Sequence, residues 1–315
     1  EITTRLVGSE MCIRDRLRRF NMTKIIQMPS ISISNEGVTT LSEVYRDYIE
    51  LKSSILSPST IRGYLAYMRN SFQELMPLNI YSLNNITIQK AVNHYAINHS
   101  PKTVRNAYGL LHSILQVYYP EFEPKITLPQ KIKPQYVLPT TDTINTLLFF
   151  ADDRIKFPIL LAAQGGLRRS EIAALQLSDF SDFGVNINKA VVYNSDLELV
   201  IKTTKTISGT RFVPLSPSLI KMARNYKYFG INPNSISNSF YKLVLKTGVP
   251  AFNFHMLRHY FASELHAHNI PDKYIATIGG WSSTSVLQNI YQHTLKDKQS
   301  EYEKQITDIF FQNFG

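Results

Sequence analysis

Prolines recur through one short stretch of this chain, at Pro120, Pro124, Pro129, Pro134 and Pro139. Each lacks an N–H and fixes its own φ, so neither a helix nor a sheet ladder can persist through that spacing. Whatever the chain folds into must therefore be built on either side of residues 121–140. Lys125, Lys131 and Lys133 lie among the prolines and make the stretch a semi-rigid, basic connector. A length of 315 residues leaves room for two domains around it.

On the N-terminal side, residues 38–120 read as helical. Leu41, Val44, Tyr45, Tyr48 and Ile49 keep the three- and four-residue spacing of one buried helical face. Two further helices are announced by Ser57-Pro58-Ser59-Thr60-Ile61-Arg62 and Ser100-Pro101-Lys102-Thr103-Val104-Arg105. Each offers Ser as N-cap and Pro at the first helical position. The echo places Thr60 with Arg62, and Thr103 with Lys102 and Arg105, on first turns, where a hydroxyl and cations can grip a phosphate. Two ordinary capped helices with solvated cations would carry the same sequence.

Residues 17–37 are polar and irregular and read as a flexible lead-in. Residues 1–16, above all Leu6-Val7-Gly8-Ser9-Glu10-Met11-Cys12-Ile13-Arg14-Asp15-Arg16, resemble an in-frame translation of a sequencing-library adaptor, with Met22 as a natural start further on. The alternative is a genuine basic arm. Arg5, Arg14 and Arg16 balance Glu1, Glu10 and Asp15, so the net charge of +10 does not depend on that leader.

On the C-terminal side, residues 141–315 begin with helical spacing at Ile144, Leu147 and Leu148, followed by Ile159 to Leu161 and a stop at Gly165-Gly166. Between 185 and 214 the period changes. Val191 to Tyr193, Leu197 to Ile201 and Arg211 to Val213 read as short strands joined by turns. Helical pattern returns from Ser216. The expected class is mainly α: a helical N-terminal domain followed by an α+β domain with one small antiparallel sheet.

A charge of +10 and a pI near 9.5 suit a polyanionic partner, either nucleic acid or an anionic membrane surface. No apolar run approaches the roughly 18 residues of a membrane span, which favours nucleic acid. Cys12, in the suspect leader, is the only cysteine, so neither a disulfide framework nor a cysteine–zinc site is expected, and a cytoplasmic setting is the default.

Chemistry-bearing residues concentrate beyond the connector. Gly166-Leu167-Arg168-Arg169-Ser170-Glu171 sets an arginine one helical turn from a carboxylate able to hold its guanidinium. In His255-Met256-Leu257-Arg258-His259 the polar residues sit at i, i+3 and i+4 on one helical face. Leu257, Phe261 and Leu265 line the opposite face, which turns the polar stripe outward into a cleft. Two histidines on a helix also suit zinc, but no third ligand is evident. Gly279-Gly280-Trp281 follows, and then Tyr291. Arginine forks suit a phosphodiester that gathers negative charge under attack.

This ordered set resembles the catalytic domain of tyrosine recombinases, the phage integrase family, and the resemblance extends over residues 38 to 312. It implies a small helical DNA core-binding domain ahead of the catalytic one. Arg168 and Arg258 match the family's two arginines, whereas Arg169 does not. His255 matches its proton-transferring, phosphate-binding histidine and His259 a structural one. Trp281 stands where a ring N–H meets the phosphate, and Glu171 supports Arg168. Lys205 falls at the place of the general-acid lysine, with Lys202 its nearest rival. Tyr291, before Gln292-His293, is the nucleophile in preference to Tyr274 or Tyr302.

The implied activity is site-specific cleavage and rejoining of DNA through a 3′-phosphotyrosyl link, in integration, excision or resolution, without ATP, metal or other cofactor. The implied partners are double-stranded DNA, a homotetramer on two DNA sites and accessory DNA-bending proteins. The tail, with Ile306, Ile309, Phe310, Phe311 and Phe314, is apolar at helical spacing and can fold onto its own domain or onto a neighbour. A type IB topoisomerase, a DNA-binding regulator and a membrane-surface protein are the competing readings. Against the two non-enzymatic ones stands the complete set of active-site residue types.

Overall fold

The computed structural model describes residues 39–132, 138–203, 209–285 and 287–288. The leader, the lead-in, Lys205, Tyr291, Tyr302 and the apolar tail lie outside these residues. The chain divides into two compact units, Glu1–Ile132 with Tyr193–Val200, and Lys133–Val192 with Ile201–Gly315.

The first unit is helical. Helix α1 (Leu41–Leu51) starts at a capping box in which Thr40 and Glu43 satisfy each other's backbone N–H groups, and it buries Leu41, Val44, Tyr45, Tyr48 and Ile49. Helices α2 (Pro58–Asn70) and α4 (Pro101–Tyr118) start at the expected Ser57 and Ser100, each with Pro at the first position, and α3 (Asn85–Ile97) lies between them. Leu75, Ile88, Leu111 and Ile114 are fully enclosed in the shared core. Each such side chain contributes roughly 1.5–3 kcal/mol relative to exposure.

The proline-interrupted segment forms neither helix nor strand up to Ile132, as its sequence requires, yet it is not a free tether. Phe122, Ile126 and Leu128 pack on the helical core. Its backbone is held by side chains: Asn85 Oδ1 accepts from the Lys125 N–H at 2.8 Å and Gln89 pairs in both directions with Thr127. The Arg105 Nε donates to the Pro129 carbonyl at 2.7 Å. Residues 121–132 are thus a strap on the first unit, because their unpaired backbone groups find side-chain partners there.

The second unit opens with α5 (Thr141–Phe150), α6 (Asp153–Gly165) and the short α7 (Arg169–Ala174). Pro158 inside α6 cannot supply the N–H that the Arg154 carbonyl needs; the Tyr226 hydroxyl donates to that carbonyl instead, at 2.8 Å. Along the chain follow strands β1 (Gly184–Ile187), β2 (Lys189–Tyr193), β3 (Leu199–Thr203) and β4 (Arg211–Pro214), of which Tyr193 and the first two residues of β3 group with the first unit. Among the described residues they pair as β1 with β4 and β2 with β3. β1, which the sequence did not separate from its surroundings, runs antiparallel to β4 with Val185 opposite Val213 and Ile187 opposite Arg211. Helices α8 (Pro217–Asn225), α9 (Pro233–Thr247), α10 (His255–Ala267) and α11 (Asp272–Gly279) complete the unit. α10 packs chiefly on α6, which brings the end of α6 beside the first turns of α10.

Among the described residues no helix is long and apolar enough to cross a membrane, and none of them group as three or more His, Cys, Asp or Glu around a metal position.

Candidate active site

Helix ends build the site. Helix α6 stops at Gly166, which takes the left-handed conformation at φ 65° and ψ 22°. A side chain there would be strained and would also collide with the Phe261 ring. Helix α11 stops in the same way at Gly280, φ 71°. Carbonyls at these two C-termini, where the helix dipole is negative, face arginines. Nη1 of Arg258 donates to the carbonyls of Gly166 and Gly279, and Nη2 of Arg168 donates to the carbonyl of Gly280.

Arg258 is only 1% exposed. Of the α10 stripe expected to face an open cleft, His255 is exposed, whereas Arg258 and His259 are buried. Helical spacing reports faces of one helix but not what a loop brings over them. Here the turn after α11 covers Arg258, whose guanidinium carbon lies 3.7 Å from the ring centroid of Trp281. Nε and Nη2 of Arg258 have no hydrogen-bond partner among the described residues. Burial, and then the positive charge of Arg168, lower its pKa from the usual arginine value. A guanidinium holds its proton even so, and the remaining cost of its charge is what an anion placed against those N–H groups would offset.

Arg168 precedes α7 as its N-cap and keeps about a third of its side chain exposed (37%). Glu171 accepts from the Arg168 backbone N–H at 2.8 Å and from its Nη1 at 2.6 Å. The expected support is therefore present, but Glu171 is buried and shared with a residue the sequence reading passed over. Arg211 on β4 donates Nη1 and Nη2 to its two oxygens at 3.1 and 2.8 Å, and Nε to the Ile278 carbonyl at 2.7 Å. Burial alone would raise the Glu171 carboxyl. Hydrogen bonds and charge from Arg211, then the charge of Arg168, outweigh it and hold the group below the usual range. The available signal was period two: Arg211 shares the buried face of β4 with Val213, and an arginine on such a face requires an acid.

His255 opens α10 with an exposed edge, its N–H bonded to Asn253 Oδ1 at 3.0 Å. Partial burial, then Arg258 and Arg168, keep its pKa below the ordinary histidine value, so its neutral form dominates near pH 7. The His259 ring meets it edge-on at 4.8 Å, and burial followed by the His255 and Arg258 charges pushes it down to about 4. Arg169, by contrast, is exposed and donates to Ser237 Oγ. Lys202 is exposed on β3 and Tyr274 on α11. Lys205 and Tyr291 lie outside the described residues.

In the first unit, Lys102 is exposed, while Arg62 and Arg105 are half-buried. The Thr60 and Thr103 hydroxyls hydrogen-bond to the Ser57 and Ser100 caps at 2.8 and 2.9 Å, so the caps engage both hydroxyls. Arg105 spends one N–H on the strap.

Residues 139–298, just over half the chain, match the phage integrase family. The chain belongs to that family. It is accordingly a tyrosine-type site-specific DNA recombinase. A curated relative, a XerC-like tyrosine recombinase of Caldanaerobacter subterraneus subsp. tengcongensis, is 23% identical over 89% of this chain and 85% of its own length. Among solved structures, the Tn1549 transposon integrase in complex with a circular intermediate DNA superposes with a TM-score of 0.70 at 19% identity, over 84% of this chain and 99% of that one. A lambda integrase tetramer bound to a Holliday junction gives 0.63 at 15% identity, over 81% of this chain and 78% of that one. These likenesses agree with the mainly helical fold and its small antiparallel sheet.

Proposed function

We propose that this recombinase cuts duplex DNA by attack of the Tyr291 phenol oxygen on the scissile phosphorus. A P–O bond forms to Tyr291 as the bond to the 5′-oxygen breaks, leaving a 3′-phosphotyrosyl link and a free 5′-hydroxyl. His255, in its neutral form, takes the phenol proton, and Lys205 protonates the departing oxygen. The link conserves the energy of the broken ester, so a second 5′-hydroxyl rejoins the strand by the reverse path. Arg168 and Arg258 hold the non-bridging oxygens as charge develops, with Trp281 fixing the Arg258 plane, His259 packing behind His255 and Glu171 holding Arg168.

One observation carries this reading: Arg168 and Arg258 are anchored to carbonyls of adjacent residues, Gly280 and Gly279, while the Nε and Nη2 of buried Arg258 have no partner among the described residues and can meet an anion. We further propose a homotetramer on two double-stranded DNA sites, aided by DNA-bending proteins. Arg62, Lys102 and Arg105 contact the backbone, and residues 1–16 take no part. A nicked suicide substrate tests the chemistry. Tyr291→Phe is expected to bind DNA but form no covalent adduct, whereas Tyr274→Phe and Tyr302→Phe still form it. An adduct from the Tyr291→Phe protein would sink the assignment.

A further inference from the structure

The Glu171 carboxylate lies between two guanidiniums, both within hydrogen-bond reach. Arg211 meets both of its oxygens, and Arg168 meets one by side chain and the other by backbone N–H. The Arg211 and Glu171 side chains are each 3% exposed, against 37% for Arg168. The inner pair is thus a closed, doubly hydrogen-bonded ion pair, and the outer arginine is open. Arg211 also donates to Ile278, next to the Gly279 and Gly280 carbonyls that hold Arg258 and Arg168.

From this we infer that Arg211 is a positioning residue for DNA cleavage: it neutralises Glu171, so that the full charge of Arg168 remains for the scissile phosphate. The inference rests on the reading of Arg168 as a phosphate ligand. Charge counting gives the reason. With Arg211 present, one carboxylate faces two guanidiniums and the group keeps a net positive charge beside the substrate. Without it, Arg168 is the one cation still hydrogen-bonded to Glu171 among the described residues, that pair is neutral, and Arg168 is drawn inward. Charge–charge energies in a partly desolvated cleft are several times their value in water, so this change acts on the transition state more than on overall DNA affinity.

Removing the carboxylate along with Arg211 separates this role from a merely structural one. Single-turnover cleavage at saturating DNA would be measured for the parent, Arg168→Ala, Arg211→Met, Arg211→Lys and Arg211→Met with Glu171→Gln. The temperature is one at which melting curves show each protein folded. Arg211→Met is expected to lose on the order of 100-fold in rate with little change in DNA affinity, and Arg211→Lys, which keeps the charge, about tenfold or less. In the double variant Arg168 faces a neutral amide, so it should recover to within about tenfold of the parent.

A folded Arg211→Met protein that cleaves like the parent overturns the inference, and so does a double variant no faster than Arg211→Met. Should Arg211→Met fail to fold, the double variant, free of the unpaired buried carboxylate, is read directly. A folded double variant slower than the parent by about 100-fold again overturns it. Parent-like cleavage by Arg168→Ala would instead remove the reading of Arg168 itself.

Discussion

The guanidinium carbon of Arg258 sits 3.7 Å from the ring centroid of Trp281, and only the missing side chain of Gly279 lets that ring in. A Cβ at position 279 would overlap the indole, since Trp281 folds back over the last turn of α11 with its backbone N–H on the Ala276 carbonyl at 2.9 Å. Gly279→Ala should therefore destabilise by about 1–3 kcal/mol through overpacking. Trp281→Ala removes the obstacle, so the two changes together should cost less than their sum. Thermal melting of both singles and the double checks this, and strict additivity would mean that ring and glycine do not meet.

Arg168→Ala and Arg258→Ala should each slow cleavage by about 3–4 kcal/mol, the usual loss for one charge-stabilising contact. DNA affinity should fall far less, because the cations proposed to contact the backbone remain. The two variants should differ in stability. Arg258 is buried with its Nη1 on two carbonyls, and Arg168 is partly open. Only Arg258→Ala should lower the melting temperature markedly. Equal losses of binding and cleavage would contradict a transition-state role.

Acid should weaken the fold in two stages. The folded-state pKa of His259 is pushed from 6.5 to about 4 by burial and by the His255 and Arg258 charges. A depressed folded value means that the unfolded chain binds more protons as pH falls. The His259 contribution, at most about 3 kcal/mol, is complete above about pH 6.5 and is lost toward pH 4. Glu171, also depressed, should add its loss only below its unfolded value of 4.5. His255 titrates in the same direction as His259 and stays unchanged in the test. Melting midpoints of the parent and of His259→Gln between about pH 7.5 and 4.5 decide the matter. The variant should give the flatter curve, and parallel curves would exclude His259 as the source.

The cations on the first turns of α2 and α4 should separate in a salt series. Arg62→Ala and Lys102→Ala should each reduce the slope of log affinity against log salt by about 0.9, one phosphate's share. Arg105→Ala should do the same and also destabilise the first unit by roughly 1–2 kcal/mol, because the Pro129 carbonyl loses its donor. Unchanged slopes in all three would return these helices to ordinary capped ones.

Local rules read well from the sequence where one segment decides the outcome. Ser57-Pro58 and Ser100-Pro101 start helices because an N-cap oxygen and a preset φ act within one turn. Gly165-Gly166 ends one because the left-handed cap needs no distant partner. The prolines exclude regular structure from 121–132 for the same reason, and the order of Arg168, His255, Arg258 and Trp281 was enough to point to a phosphodiester. What the sequence alone did not supply was who meets whom. Arg211 reaches Glu171 across 40 positions, and Arg258 reaches the Gly166 carbonyl across 92. The strap on the first unit and the matching of β1 with β4 and of β2 with β3 are pairings of the same kind. The α10 stripe is the clearest case. Spacing put His255, Arg258 and His259 on one face, but whether that face meets water or protein depends on the α11 turn folding over it, and burial is a property of the assembled unit rather than of the helix.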